Sequence, residues 1–199
     1  MGDTSGMDQK DNIVTLYTSQ RNEVVNQIEV EGIYWAKMQF IREKYGEVAH
    51  LFLGVYQWYN QYAPQYVPKP SQAESGIWAF ASRGDVSPYE GCKILTLQVP
   101  IKEAVFFDML EWSDLLNYRY LGSKEAEREF YTKLKKQGIA EPMQIVTTPF
   151  YPLLKRELQA SWSSLFRYHK AIQNREPVPV QHIQAGLWQI KKEWVVAVE

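Results

Sequence analysis

Three carboxylates stand close together in the stretch AVFFDMLEWSDLLNYRYLG, Ala104 to Gly122: Asp108, Glu111 and Asp114. Neighbouring carboxylates do acid–base work when their surroundings push their proton affinities apart. Glu111 and Asp114, three residues apart, share a helical face that could clasp a metal ion. The same spacing serves a humbler purpose. An Asp at a helix entry accepts from the free amides of the first turn, a Glu three residues on reaches back, and both charges oppose the helix dipole. No further group in the neighbouring sequence would split the two proton affinities, so the stretch reads as a strand handing over to a helix, with Trp112 and Leu116 packing it.

The other reactive side chains are scattered. His50, His169 and His182 stand in no metal-ligand spacing such as HxxxH, and no metal site is expected. Cys92 is the single cysteine, which excludes an internal disulfide and fits a reducing compartment. No Walker loop, GxGxxG or GxSxG sequence occurs. Arg83-Gly84-Asp85 spells an integrin-recognition tripeptide, for which chance is the better explanation in a cytoplasmic loop.

What positions these residues follows from the totals and the periodicity. A chain of 199 residues with 45% hydrophobic composition buries one full core and is short for two. Its net charge of −1 supplies no overall field for nucleic acid or an anionic membrane. The charge is uneven: residues 1–122 carry 10 basic and 15 acidic side chains, residues 123–199 carry 12 and 8. No apolar run approaches a membrane span or the apolar stretch of a signal peptide, so a soluble, cytoplasmic protein without membrane contact is expected. Residues 1–12 read as a mobile N-terminal tail and 13–199 as one domain.

IVTLYTS (Ile13–Ser19) reads as a first strand, followed by a helix that Asn22 could cap and Gly32 ends. A helical stretch over 34–45 closes at Gly46, and apolar spacing from Val48 to Tyr62 marks a core helix. IWAFAS and KILTLQVP read as two strands joined by RGDVSPYEG, and AVFF as a short strand before the helix near Met109. Ser123 can cap a basic helix ending at Gly138. A longer helix covers 152–168, and a closing region interrupted at Gly186 forms two or three strands. Together these give an α+β domain with a central split or mixed β-sheet flanked by helices.

Four stretches, LYTSQ (Leu16–Gln20), IWAF (Ile77–Phe80), LTLQVPIKEAVFFDMLEWSDLLNYRYL and IQAGLWQIKKEWV, together resemble the bacterial domain-of-unknown-function family 3841. Asp108, Trp112, Leu116 and Asn117 occupy the matching places of the third stretch, and Met109 stands where an aromatic residue is more familiar. The family name implies no activity.

The element order is also similar to the ADP-ribosyltransferase fold, in which a split sheet cradles NAD. That resemblance implies a first-strand cofactor-holding position at Thr18 or Gln20 and a late-strand position at Gln181 or Gln184. A glutamine can bond a ribose hydroxyl but lacks the charge that favours a developing cation, so binding survives this departure more easily than transfer. NAD or another nucleotide is the implied ligand, with Tyr17 or Trp78 available to stack a base. Two alternatives stand beside this reading. One is a non-catalytic protein-interaction module using exposed aromatics within Tyr56–Tyr66. The other, less favoured, is nucleic-acid contact through the basic C-terminal half.

Overall fold

A computed structural model describes residues 12–199; all but the last residue of the expected N-terminal tail lies outside them. The elements are β1 (Ile13–Arg21), α1 (Asn22–Glu31), β2 (Ile33–Tyr34), α2 (Met38–Tyr45), α3 (Ala49–Tyr62), β3 (Ile77–Phe80), β4 (Cys92–Pro100) and β5 (Ala104–Asp108). They continue with α4 (Met109–Leu116), α5 (Lys124–Lys136), α6 (Met143–Thr147), α7 (Pro152–Ser161), α8 (His169–Gln173), β6 (Ile183–Leu187), β7 (Ile190–Lys191) and β8 (Val195–Val198).

Six strands form one antiparallel sheet in the order β5-β6-β3-β1-β4-β8, and β2 pairs with β7 separately. The α+β class expected from sequence is therefore present. Because each strand alternates its side chains between two faces, the sheet carries a core on each side. One holds Leu16, Leu95, Leu97, Phe106 and Leu187 under Val24 and Ile28 of α1. The other holds Val105 and Phe107 under α3, α4 and α7, and most of the tryptophans lie there. Tyr59 stands at its middle, edge-on to Trp78 at 4.9 Å and to Trp112 at 5.6 Å between ring centroids. Edge-on packing sets the positive rim of one ring against the negative face of the next. Two buried indole N–H groups find acceptors, Trp188 donating to Val67 O at 2.8 Å and Trp162 to Arg119 O at 3.0 Å, whereas those of Trp35 and Trp58 are buried without a partner among the described residues.

Several local expectations change. β3 and β4 do not pair with each other; β1 lies between them, because RGDVSPYEG is long enough to cross a strand rather than turn back on one. Asn22 is the first residue of α1 and makes no side-chain cap. Tyr34 belongs to β2, so the second helix starts only at Met38, where Glu74 Oε2 accepts from the Met38 amide at 3.1 Å. β6 runs straight through Gly186, and the interruption falls after Leu187. The helix over 152–168 tightens at Trp162–Phe166 into a 3₁₀ turn, although Leu154, Leu158, Trp162, Leu165 and Phe166 all face inward as their spacing requires.

Asp108 caps α4 by accepting from Leu110 N at 2.8 Å, and Asn117 closes its far end by donating to Ser113 O at 2.8 Å. Glu111 does not reach back to the entry; it pairs with Arg167 instead.

Candidate functional site

The sheet is split at one place. β1 pairs with β4 along all nine residues, but with β3 only at Tyr17 opposite Phe80. Beyond Tyr17 the two strands splay, and side chains replace the missing ladder. Thr18 Oγ1 donates to Trp78 O at 2.7 Å and accepts from Gln20 Nε2 at 2.7 Å. Thr18 is 1% exposed, so its hydroxyl acts as a buried strut. The Gln20 amide oxygen has no protein partner among the described residues, which leaves it as an acceptor for something else.

Two cavities open at this split. The smaller one, about 180 Å³ and inner only in that Tyr56, Ile41 and Ile77 of its wall are buried, also meets Trp78; the larger, outer one, about 430 Å³, is walled by Ser19, Arg21, Tyr89 and Cys92. Gln20, Tyr34, Phe40 and Lys44 belong to both walls, so the two meet at these side chains. Phe40 and Lys44 come from one stripe of α2, with Lys37 a turn before them. The entry of α2 is fixed by Glu74, which accepts from the Met38 amide and the Lys37 ammonium. Those two bonds hold the Glu74 carboxyl below its usual range.

The walls contain Arg21, Lys37 and Lys44 but no Asp or Glu. Lys37 is occupied by Gln72 O and Glu74, and Arg21 meets Glu43 only at 3.9 Å. Lys44 makes no ion pair among the described residues and lies over the Tyr45 ring. Tyr34 is held as a neutral phenol: burial pushes it up to about 12, with Arg21 opposing. An acid-free cleft with spare cations and aromatic walls favours an anionic, ring-bearing ligand.

Of the residues singled out from sequence, Thr18, Gln20 and Trp78 come together here. The Trp78 ring is packed against Trp112 at 4.5 Å and its Nε1 donates to Tyr56 at 3.2 Å, so it offers an edge rather than a free stacking face. Tyr17 is opposite both Phe80 and Thr96 and is not in either cavity wall. Gln181 is exposed, ahead of β6. Gln184 is 3% exposed, its Oε1 buried without a partner among the described residues. Its register opposite Phe80 and Phe107 puts it on the face of the aromatic core, whereas Thr18 shares the opposite face with Leu16 and Leu95. The structure does not bring Gln20 and Gln184 together. Tyr34, Phe40 and Lys44 were missed; the three-and-four spacing of Lys37, Phe40 and Lys44 was the available signal.

Other groups are accounted for locally. Within Tyr56–Tyr66, Tyr56, Trp58 and Tyr59 are buried and Tyr62 is the most open aromatic, at 39%. Lys133 pairs with Glu157 at 2.6 Å, and the open face of α5 mixes Glu125 and Glu129 with Arg128 and Lys136. Arg83 binds Glu199 at 2.7 Å and Asp85 binds His182 at 2.8 Å, so both charged members of the RGD tripeptide are engaged internally.

Fold and site together define an α+β protein whose antiparallel sheet opens into a cationic, aromatic-walled cleft. The chain belongs to the family described as domain of unknown function (DUF3841), which matches residues 15–196. No curated protein and no solved structure matches it. Among the described residues, no helix is long and apolar enough to cross a membrane.

Proposed function

We propose that the chain binds NAD or a related nucleotide in the cleft between β1, β3 and α2. The observation that carries this reading is the splayed β1–β3 junction, where the buried Thr18 ties Gln20 to Trp78 beneath a cleft that both of these line, with three cations and no carboxylate in its walls. Gln20 bonds a ligand hydroxyl, Phe40 and Tyr34 face its ring, and Lys44 meets its phosphate. The likeness in element order to the ADP-ribosyltransferase fold, whose split sheet cradles NAD, points the same way.

Binding, rather than transfer, is the part of that likeness the residues favour. Neither Gln20 nor Gln184 carries a negative charge to stabilise an oxocarbenium-like transition state, and Gln184 is buried on the other face. The single free cysteine fits a cytoplasmic setting. Calorimetric titration with NAD and ADP, run beside a nicotinamide-release assay, tests the proposal. Saturable binding without release is expected; no heat at millimolar ligand would remove it.

A further inference from the structure

Resting on the nucleotide reading, we infer that the cleft sorts the two ends of its ligand: the inner cavity takes a planar ring and the outer one takes the phosphates, so the ligand class is a nucleoside diphosphate or dinucleotide rather than a free nucleoside. The two cavities differ in size. About 180 Å³ is below the range of roughly 300–1,000 Å³ usual for a whole small-molecule site, whereas about 430 Å³ lies inside it. They differ in chemistry too. The inner walls are Tyr56, Trp78, Ile41 and Ile77, and the one cation at that end, Lys37, is already neutralised by Glu74. The outer wall has Arg21, whose one ion-pair partner among the described residues, Glu43, stands 3.9 Å away.

Between them stands a neck of Gln20, Tyr34, Phe40 and Lys44. Phe40, 38% exposed and tilted against Tyr34 at 6.4 Å between centroids, offers an apolar ring to both cavities. Lys44, one turn further along α2, lies over the Tyr45 ring and makes no ion pair among the described residues; a lysine ammonium of this kind holds a phosphate without demanding a fixed orientation. A ligand with both a ring and a charged chain satisfies inner wall, neck and outer wall at once; a nucleoside alone leaves Lys44 and Arg21 unused.

The test is a titration series with adenosine, AMP and ADP against the full chain and against Lys44→Met and Phe40→Ala, both substitutions at exposed positions. ADP should bind the unaltered protein roughly tenfold or more tighter than adenosine, the increment of one or more charge-assisted hydrogen bonds. Lys44→Met should erase most of that difference while leaving adenosine unchanged. Phe40→Ala should weaken adenosine and ADP by the same factor. Added salt should weaken ADP and spare adenosine. Equal affinity for ADP and adenosine, or a Lys44→Met protein that still prefers ADP, overturns the division of the cleft while the nucleotide reading stands. Failure of all three to bind the unaltered protein overturns that reading as well.

Discussion

The hydroxyl of Tyr59 occupies the place where a side chain at position 186 would begin: a Cβ on Gly186 would stand 2.0 Å from Tyr59 Oη and 2.8 Å from Tyr59 Cζ. Gly186 lies opposite Trp78 and Val105 in the middle of β6, and the absent side chain is what lets α3 lay its central aromatic on the sheet. Gly186→Ala should therefore lower stability by about 1–3 kcal/mol, as overpacking does, read as a reduced urea midpoint. Tyr59 Oη is buried without a partner among the described residues, so Tyr59→Phe should be neutral or stabilising. Combined with Gly186→Ala it should recover part of the loss. Simple additivity of the two would mean that this contact is not what demands the glycine.

Glu111 gives stability a pH dependence of unusual sign. Burial raises its carboxyl to about 7, and the Arg167 guanidinium only partly opposes that. The folded state then holds this proton more tightly than the unfolded chain does. The contribution is full below about 4.5 and is lost as pH rises through about 7. Glu111→Gln should flatten the fall in urea midpoint between pH 5 and pH 8. An unchanged slope would place the titrating group elsewhere.

His169 acts in the opposite direction. Its Nδ1 accepts from Phe106 N at 3.1 Å, sealing the outer edge of β5 with a neutral ring. Burial lowers it to about 4, helped by Lys170. Its contribution is full above 6.5 and disappears as pH falls toward 4. His169→Ala should cost about 1–3 kcal/mol at pH 7.5, the penalty of a buried amide left without an acceptor, and should lessen the acid sensitivity between pH 6.5 and 4. Thermal unfolding across that range would show it. A variant as acid-sensitive as the parent contradicts the assignment.

Gln20 should matter to ligand and little to folding, because its side chain rests on Thr18 rather than inside either core. Gln20→Ala is expected to weaken NAD by roughly fivefold, about one hydrogen bond, with a melting temperature close to the parent's. Thr18→Val removes the donor to Trp78 O and should lower that temperature as well. If Gln20→Ala instead unfolds the protein with NAD affinity intact, its role is structural.

Where one element dictates its own form, the sequence was sufficient. Ser123 accepts from Ala126 N at the start of α5, Asp108 caps α4, and Gly32 and Gly138 end helices with φ of 78° and 71°. Each depends on groups a few residues apart. The errors arose where the decision belongs to a distant partner. Glu111 forgoes its own helix entry because Arg167, 56 residues away, arrives beside it. β3 and β4 look like a hairpin until β1 is known to run between them. The cleft was half legible: Thr18, Gln20 and Trp78 could be singled out on single strands, but only tertiary packing brings Phe40 and Lys44 of α2 over them. Gln184 shows the reverse, a plausible position on its strand that the register turns to the other face.

The cleft contains the chain's single cysteine, Cys92, part-buried in the outer wall, so occupancy can be read at one atom. The most direct measurement is the rate of Cys92 alkylation by a small maleimide, followed by intact mass, as NAD is added. The rate should fall in step with saturation in the parent and much less in Lys44→Glu. A rate indifferent to NAD at concentrations where calorimetry shows it bound would place the nucleotide somewhere other than the split between β1 and β3.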